Sequence, residues 1–337
     1  MRLIYFAALR VRDSILAYIS SQIPGMETVV ITGGTGLIGT AVTQLLTERG
    51  YKVIILTRNA KPGSATVSYA QWDPANKIID RNAIEQADYI INLAGAGVGD
   101  KRWTKKRKQE IVDSRIASGV TLVKAVQEIP NKIKAVISVS GIGWYGDDKR
   151  RLASKPSFTE GDPVDKDFLG ETCRLWEESV MPMAELGKRL IIFRIGIVLS
   201  EKGGALKEFI RPVKFGFATI MGNGRQTMSW IHIDDVCRLF LYALEKNSID
   251  GIYNAVAPQP IINKSFTIEL AKKMKGSFYI PIMVPTFALK IVVGELSIEV
   301  LKSATVSNEK ISQTGFQFLF PSIESALDNL LSRKHTK

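Results

Sequence analysis

The stretch Thr28 to Arg58, TVVITGGTGLIGTAVTQLLTERGYKVIILTR, constrains this chain more than any other. A β-branched run, Val29 to Ile31, meets Gly33-x-x-Gly36-x-x-Gly39. An apolar-periodic segment then runs from near Leu37 to Gly50, and a second apolar run, Val53 to Leu56, follows. The order is strand, glycine turn, helix, strand. One glycine permits the tight turn, one lets backbone approach a pyrophosphate, and one lets helix pack on strand. A helix beginning near Leu37 points free N–H groups and its positive dipole end at the phosphates. A glycine triplet alone says little, because loops are glycine-rich; in this setting it specifies a dinucleotide site, with Leu37 at its helix start.

The end of the second strand selects the cofactor. Enzymes that use NAD place Asp or Glu there to accept from the ribose hydroxyl, whereas Thr57 and Arg58 offer a hydroxyl and a cation. A guanidinium matches a 2′-phosphate in charge and geometry, so NADP(H) is the expected cofactor.

Further strands are read at residues ending in Trp72-Asp73-Pro74, at Asp88 to Leu93, at Ala135 to Val139 and at Leu190 to Ile195. Helices are read at Thr104 to Glu128, where Val112, Ile116, Val120 and Val123 recur at helical spacing, and at Phe168 to Leu186. This alternation predicts an α/β fold, a Rossmann-type doubly wound parallel sheet with right-handed crossovers. Ligands then bind at the carboxyl ends of the strands, where Gly33, Arg58, Asn92 to Gly97 and Ser138 to Gly146 gather. Beyond Ser200 the pattern loosens: Gly203-Gly204, Lys214 to Gly224 and Ala257 to Pro260 read as loops, with helices near Asp235 to Lys246 and Asn263 to Lys273. The expected organisation is an N-terminal appendage (1–25), a dinucleotide-binding core (26–199), interleaved substrate-side elements (200–280) and a small C-terminal helical substrate or lid region (281–337).

Composition excludes several classes. No run approaches the roughly 18–20 apolar residues of a membrane-spanning helix. Residues 1–25 carry apolar patches broken by Arg10, Arg12 and Asp13, without a small-residue cleavage site, and read as a helix on the domain or a tail rather than a signal peptide. The two cysteines, Cys173 and Cys237, and the two histidines, His232 and His335, fit no metal motif, and a reduced cysteine pair points to the cytoplasm. Net charge is +12, and Lys101 to Lys108 (KRWTKKRK) is its densest source. That cluster reads as a solvated loop and helix start, with phosphate or nucleic acid as the rival. No further basic stripe supports nucleic acid. The expected partners are a small-molecule substrate and a second copy of the chain in a homodimer, with no metal.

TGGTGLIG, NLAG, SVSGIGWYG, RIGIVLS and GNGRQTMSWIHIDDV, in this order, resemble an extended or atypical short-chain dehydrogenase/reductase. WDP, NLAGAG, RWTKKRK and DFLGETCRLWEE are similar to an NAD(P)-binding, epimerase-like subgroup that includes a plastid-division protein of plants. The resemblance spans residues 26 to about 332. It implies that Gly33, Thr35, Gly36, Ile38 and Gly39 bind the pyrophosphate, that Thr57 and Arg58 surround the adenosine phosphate, and that Asp73 lies near the adenine. It further implies that Leu93, Ala94 and Gly95 pass close to the adenosine and ribose, and that Glu110, Arg115 and Ile197 touch the cofactor. Ile197 also reads as core, and Glu110 with Arg115 as surface charge.

Short-chain dehydrogenases place Tyr and Lys four apart on a helix, so that Lys lowers the Tyr pKa and Tyr works as acid or base. Here the corresponding helix offers Leu169/Cys173 or Phe168/Thr172, and Leu169, Cys173, Trp176 and Val180 form an apolar face instead. The literal strings Tyr145 to Lys149 and Tyr242 to Lys246 fall outside that helix. Ser140 and Tyr145, on the loop leaving the fifth strand, are the catalytic candidates, with Tyr145 expected near its ordinary pKa of ~10. A serine satisfying backbone and a tyrosine filling the pocket wall is the competing reading. Ser138, on the same strand end, is assigned to the cofactor. Arg225, on a glycine-rich loop, and Asn254 are assigned to the substrate; Asp234 or Asp235 is expected to cap the next helix, with His232 structural. Two functions follow: an NADP(H)-dependent oxidoreductase or epimerase-like enzyme on a small carbonyl or hydroxyl compound, or a non-catalytic NADP(H)-binding regulatory or scaffold protein.

Overall fold

The computed structural model describes residues 26–59 and 61–332, so the expectation for residues 1–25 lies outside it. Strands β1 (Thr28–Thr32), β2 (Lys52–Thr57), β3 (Val67–Asp73), β4 (Ile78–Ile79), β5 (Tyr89–Asn92), β6 (Ala135–Gly141) and β7 (Arg189–Ile195) alternate with helices. They join one sheet in the order β13-β7-β6-β5-β1-β2-β3-β4, where β13 is Gly251–Ala255. Every pairing in it is parallel except that of the two-residue β4. All residues of β1 and β5 are buried, as near-continuous apolar strands covered on both faces must be. Val29 and Ile31 pack with Val42 and Leu46 of the first helix (Leu37–Glu48), while Val30 packs with Ile84, Leu122 and Val126 on the other side. Strand order reverses between β1 and β5, which opens the ligand crevice at their carboxyl ends.

Four local expectations change. The long helix spans Lys105–Glu128 with the Thr104 side chain capping it, but its buried side runs through Ile111, Arg115, Ser118, Leu122 and Ala125, and Val120 is exposed. Apolar spacing missed this side because two of its members are polar groups serving the site. The expected helix over Phe168 to Leu186 breaks into Phe168–Val180 and Pro182–Glu185, with Pro182 in the first turn of the second piece. Within the expected loop at 214–224, β10 (Phe217–Met221) pairs with β15 (Ile280–Val284), so the C-terminal stretch opens on a strand. Asp234 and Asp235 do not cap Ile233–Glu245; His232 does, its Nδ1 accepting from the Asp234 N–H at 3.0 Å.

Two carboxylates fasten the C-terminal stretch to the core. Asp148 accepts from Ser303 Oγ, Thr305 N and Thr305 Oγ1. Buried Asp235 accepts from the N–H groups of Leu319 and Phe320 and pairs with Arg238. Desolvation outweighs those bonds and holds the Asp235 carboxyl above its ordinary range.

Candidate functional site

The glycine turn fits a ligand on one side and protein on the others. Gly33 has φ +66°, and a Cβ there would lie 2.8 Å from the Leu93 carbonyl group. A Cβ on Gly39 would meet Gly33 O at 2.4 Å, so this glycine lets the helix seat against the turn. At Gly36 a Cβ would meet only Gly33 O, at 3.3 Å, which leaves its outer side open. Gly36 is also the N-cap of the first helix, which has no side-chain cap and no acidic residue in its first turn. The leading N–H groups and the dipole therefore remain available to an anion. Thr35 and Gly36 are exposed, with Leu37 and Ile38 half-buried beside them.

Below the turn, Asn92 Oδ1 accepts from Thr32 Oγ1 at 2.8 Å and from Ser118 Oγ at 2.7 Å, and Asn92 Nδ2 donates to Ser138 Oγ at 3.2 Å. Thr32 Oγ1 in turn accepts from the N–H groups of Leu93 and Ala94. This buried lattice fixes the half-buried Leu93 and Ala94 and the exposed Gly95 where a nucleotide crosses the strand ends. Ser138, assigned to the cofactor from sequence, is 1% exposed and belongs to the lattice beneath that surface. Arg58 is exposed at the end of β2 and has no carboxylate partner among the described residues, with half-buried Thr57 next to it. Asp73, half-buried at the end of β3, accepts from Asn76 Nδ2.

Arg115 is 8% exposed, stacks over the Trp176 ring and donates to the carbonyls of Ala96 and Ile111. Burial lowers its pKa to about 10. Exposed Glu110 pairs with buried Arg107 at 2.9 Å, and that hydrogen bond holds its carboxyl below the usual range. Ile197 is half-buried in β8 (Ile197–Ser200), opposite Trp230 of β12 (Trp230–His232).

Tyr145 does not have the ordinary acidity expected of it. It is 2% exposed, stacked on Phe158, and its hydroxyl donates to Asn254 Oδ1 at 2.6 Å while accepting from Arg194 Nη1 at 3.1 Å. Burial pushes its pKa up to about 12. Arg194, 1% exposed, holds Glu177 through Nε at 2.8 Å and Nη2 at 2.9 Å, and lies over the Trp144 ring. Burial opposes its charge, and the hydrogen bonds to Glu177 more than restore it. Asn254, assigned to the substrate, is fully buried with Nδ2 on Ser307 O and N–H on Glu160. Tyr145 and Asn254 are thus bonded to each other, and Arg194, paired with Glu177, holds the tyrosine hydroxyl as well. An Arg inside an apolar strand and a Glu on a helix facing it are the only sequence signals of that pair.

Leu169 and Cys173 stand where a Tyr/Lys pair would, packed under the turn at Gly141 and Gly143. Burial holds the Cys173 thiol above its ordinary value. The hydroxyl of Ser140, a residue 4% exposed, is buried beside that thiol without good hydrogen-bond geometry and has no other partner among the described residues. Arg225 is exposed on its loop, with its N–H on Asn223. The basic cluster is partly committed to structure: Trp103 packs edge-on to Phe168, Arg102 donates to Ile291 O, and Lys108 pairs with Glu295.

The open glycine turn at the switch point of a parallel sheet defines a Rossmann-type NAD(P)-binding protein. A sequence profile of the NAD dependent epimerase/dehydratase family matches residues 29–255, and one of a domain of unknown function, DUF1731, matches residues 284–330. The chain belongs to the NAD dependent epimerase/dehydratase family. It is 34% identical to the epimerase family protein YfhF of Bacillus subtilis over 309 residues, 91% of this chain and 99% of the relative. To the epimerase family protein SDR39U1 of Mus musculus it is 32% identical, covering 90% of this chain and 99% of the relative. The crystal structure of human SDR39U1 (isoform 2) with NADPH superposes with a TM-score of 0.79 at 29% identity, over 90% of this chain and 99% of the other. UDP-glucose 4-epimerase from Thermotoga maritima, at 18% identity and a TM-score of 0.73, shares the fold.

Proposed function

We propose that this protein binds NADP(H) and works as an oxidoreductase or epimerase-like enzyme on a small carbonyl or hydroxyl compound. The observation that carries the reading is Arg58, exposed and free of any carboxylate partner among the described residues, at the end of β2 beside the open glycine turn. NADPH in the human relative supports it. A bound nicotinamide supplies hydride exchange at its C4. Gly36 and the uncapped helix start hold the phosphates, and Arg58 neutralises the 2′-phosphate. Leu93 to Gly95, fixed from below, set the height of the crossing. Ser140, whose buried hydroxyl lies beside the Cys173 thiol, is the remaining candidate to orient a substrate oxygen, because Tyr145 is committed to Asn254 and Arg194.

That commitment, together with Leu169 and Cys173, favours a second reading: an NADP(H)-binding regulatory or scaffold protein without turnover. Screening carbonyl compounds for NADPH oxidation separates the two. Under the enzymatic reading, activity appears and falls roughly 10²-fold or more in Ser140→Ala, the scale of a positioned proton-transfer group. Activity that survives in Ser140→Ala removes Ser140 from the chemistry, and NADPH binding without oxidation across the panel favours the regulatory reading.

A further inference from the structure

Large apolar side chains stand out of segments of the C-terminal half that pair with or directly follow one another. Phe215 is 77% exposed and Phe278 87%, and Ile280, Met283, Phe287 and Ile291 are each more than half exposed. Pairing joins these segments: Ile280 N donates to Gly216 O, Phe217 sits opposite Ile280, and the helix Thr286–Val293 follows directly on β15. Patches this concentrated mark interaction surfaces. Residues 276–294 contain no Asp or Glu and a single charge, Lys290; residues 209–221 contain no acid, and carry Arg211 and Lys214. Arg211, Lys214, Lys272 and Lys290, on these segments or next to them in the chain, are all exposed, with Arg211 paired to Glu208 at 3.1 Å.

Three features narrow the partner. Ile280 N and Val284 O are bonded to β10, so the free edge of β15 belongs to Pro281 and Met283, and proline leaves only one N–H there for an added strand. A second copy would bring one cationic rim against another, which is repulsive. Ile280 and Met283 project from opposite faces of β15 and are both exposed, so the apolar surface is a ridge rather than a plane or groove. An apolar ridge on segments whose neighbouring charges are mostly cationic suits a fluid apolar medium under an anionic skin. No helix among the described residues is long and apolar enough to cross a membrane, so contact would be with the surface.

We propose that the ridge formed by residues 215–217 and 278–292 docks on an anionic lipid bilayer, with Phe278 and Phe287 in the interface and Arg211, Lys214, Lys272 and Lys290 over the headgroups. Co-sedimentation of the full chain with vesicles tests this, using phosphatidylcholine alone and phosphatidylcholine mixed with phosphatidylglycerol. The bound fraction should be roughly tenfold higher on the anionic vesicles and fall as salt rises. Phe278→Ser/Phe287→Ser should abolish binding, and Lys272→Glu/Lys290→Glu should reduce it about tenfold, with unchanged melting temperatures because all four side chains are exposed. Should the aromatic variant fold poorly, the lysine variant still decides. Equal recovery with and without vesicles overturns the proposal, as does binding that both variants retain. A concentration-dependent dimer in sedimentation velocity, abolished by the aromatic variant and accompanied by no vesicle binding, assigns the ridge to a second copy instead.

Discussion

Tyr145 carries the sharpest disagreement between its place in the chain and its chemistry. It leaves β6 on the side where a nicotinamide would lie, yet its hydroxyl is spent on Asn254 and Arg194. Tyr145→Phe strands the buried Asn254 Oδ1 and should cost about 1–3 kcal/mol in denaturant unfolding while leaving NADPH affinity unchanged. A large loss of NADPH affinity at unchanged stability would return Tyr145 to the ligand. The pH dependence has a defined sign. The folded state holds the phenolic proton up to about pH 12, against about 10 in the unfolded chain, so this stabilisation is full below pH 10 and is lost as pH rises towards 12. The corresponding part of the alkaline stability loss should vanish in Tyr145→Phe. Order of elements was enough to bring Ser140 and Tyr145 to the right strand end. It could not reveal that Arg194, from a neighbouring strand, had claimed the tyrosine, because that contact joins residues far apart in the chain.

The glycine turn is the element that spacing made most legible, and geometry now separates its members. Gly33→Ala puts a Cβ into the Leu93 carbonyl at positive φ, so it should destabilise the fold by more than about 1–2 kcal/mol. Gly36→Ala meets only Gly33 O, at 3.3 Å, in ordinary backbone and should cost less than Gly33→Ala, about 1 kcal/mol, yet weaken NADPH at least tenfold by filling the phosphate approach. Paired melting and NADPH titration of the two variants checks this; equal stability losses would remove the distinction. The long helix was legible in extent but not in orientation. Hydrophobic spacing weighs only apolar residues, whereas its buried side includes Arg115 and Ser118, held there by the Trp176 ring and Asn92.

At the scale of the molecule, alternation of strand and helix through Ile195 announced the parallel sheet, because each βα unit carries its apolar run, turn and amphipathic helix in one short stretch of sequence. Past Ser200 the short strands gain their partners from distant segments, as β10 does from β15, and no local pattern marks them. The C-terminal stretch is held by the Asp148 clamp at residues 303–305 and the Asp235 clamp at Leu319 and Phe320. Asp148→Ala should therefore loosen residues 303–305, seen as faster limited proteolysis there with the sheet core intact; unchanged cleavage would show the clamp to be dispensable. Fluorescence titration with NADPH and NADH tests the phosphate-recognising cofactor site most directly. The wild type should prefer NADPH, and Arg58→Ala should lose roughly 10–100-fold in NADPH affinity, the range of a charge-assisted hydrogen-bonded pair, with NADH little changed. Equal affinity for the two cofactors in the wild type, or an Arg58→Ala variant that still prefers NADPH, would contradict it.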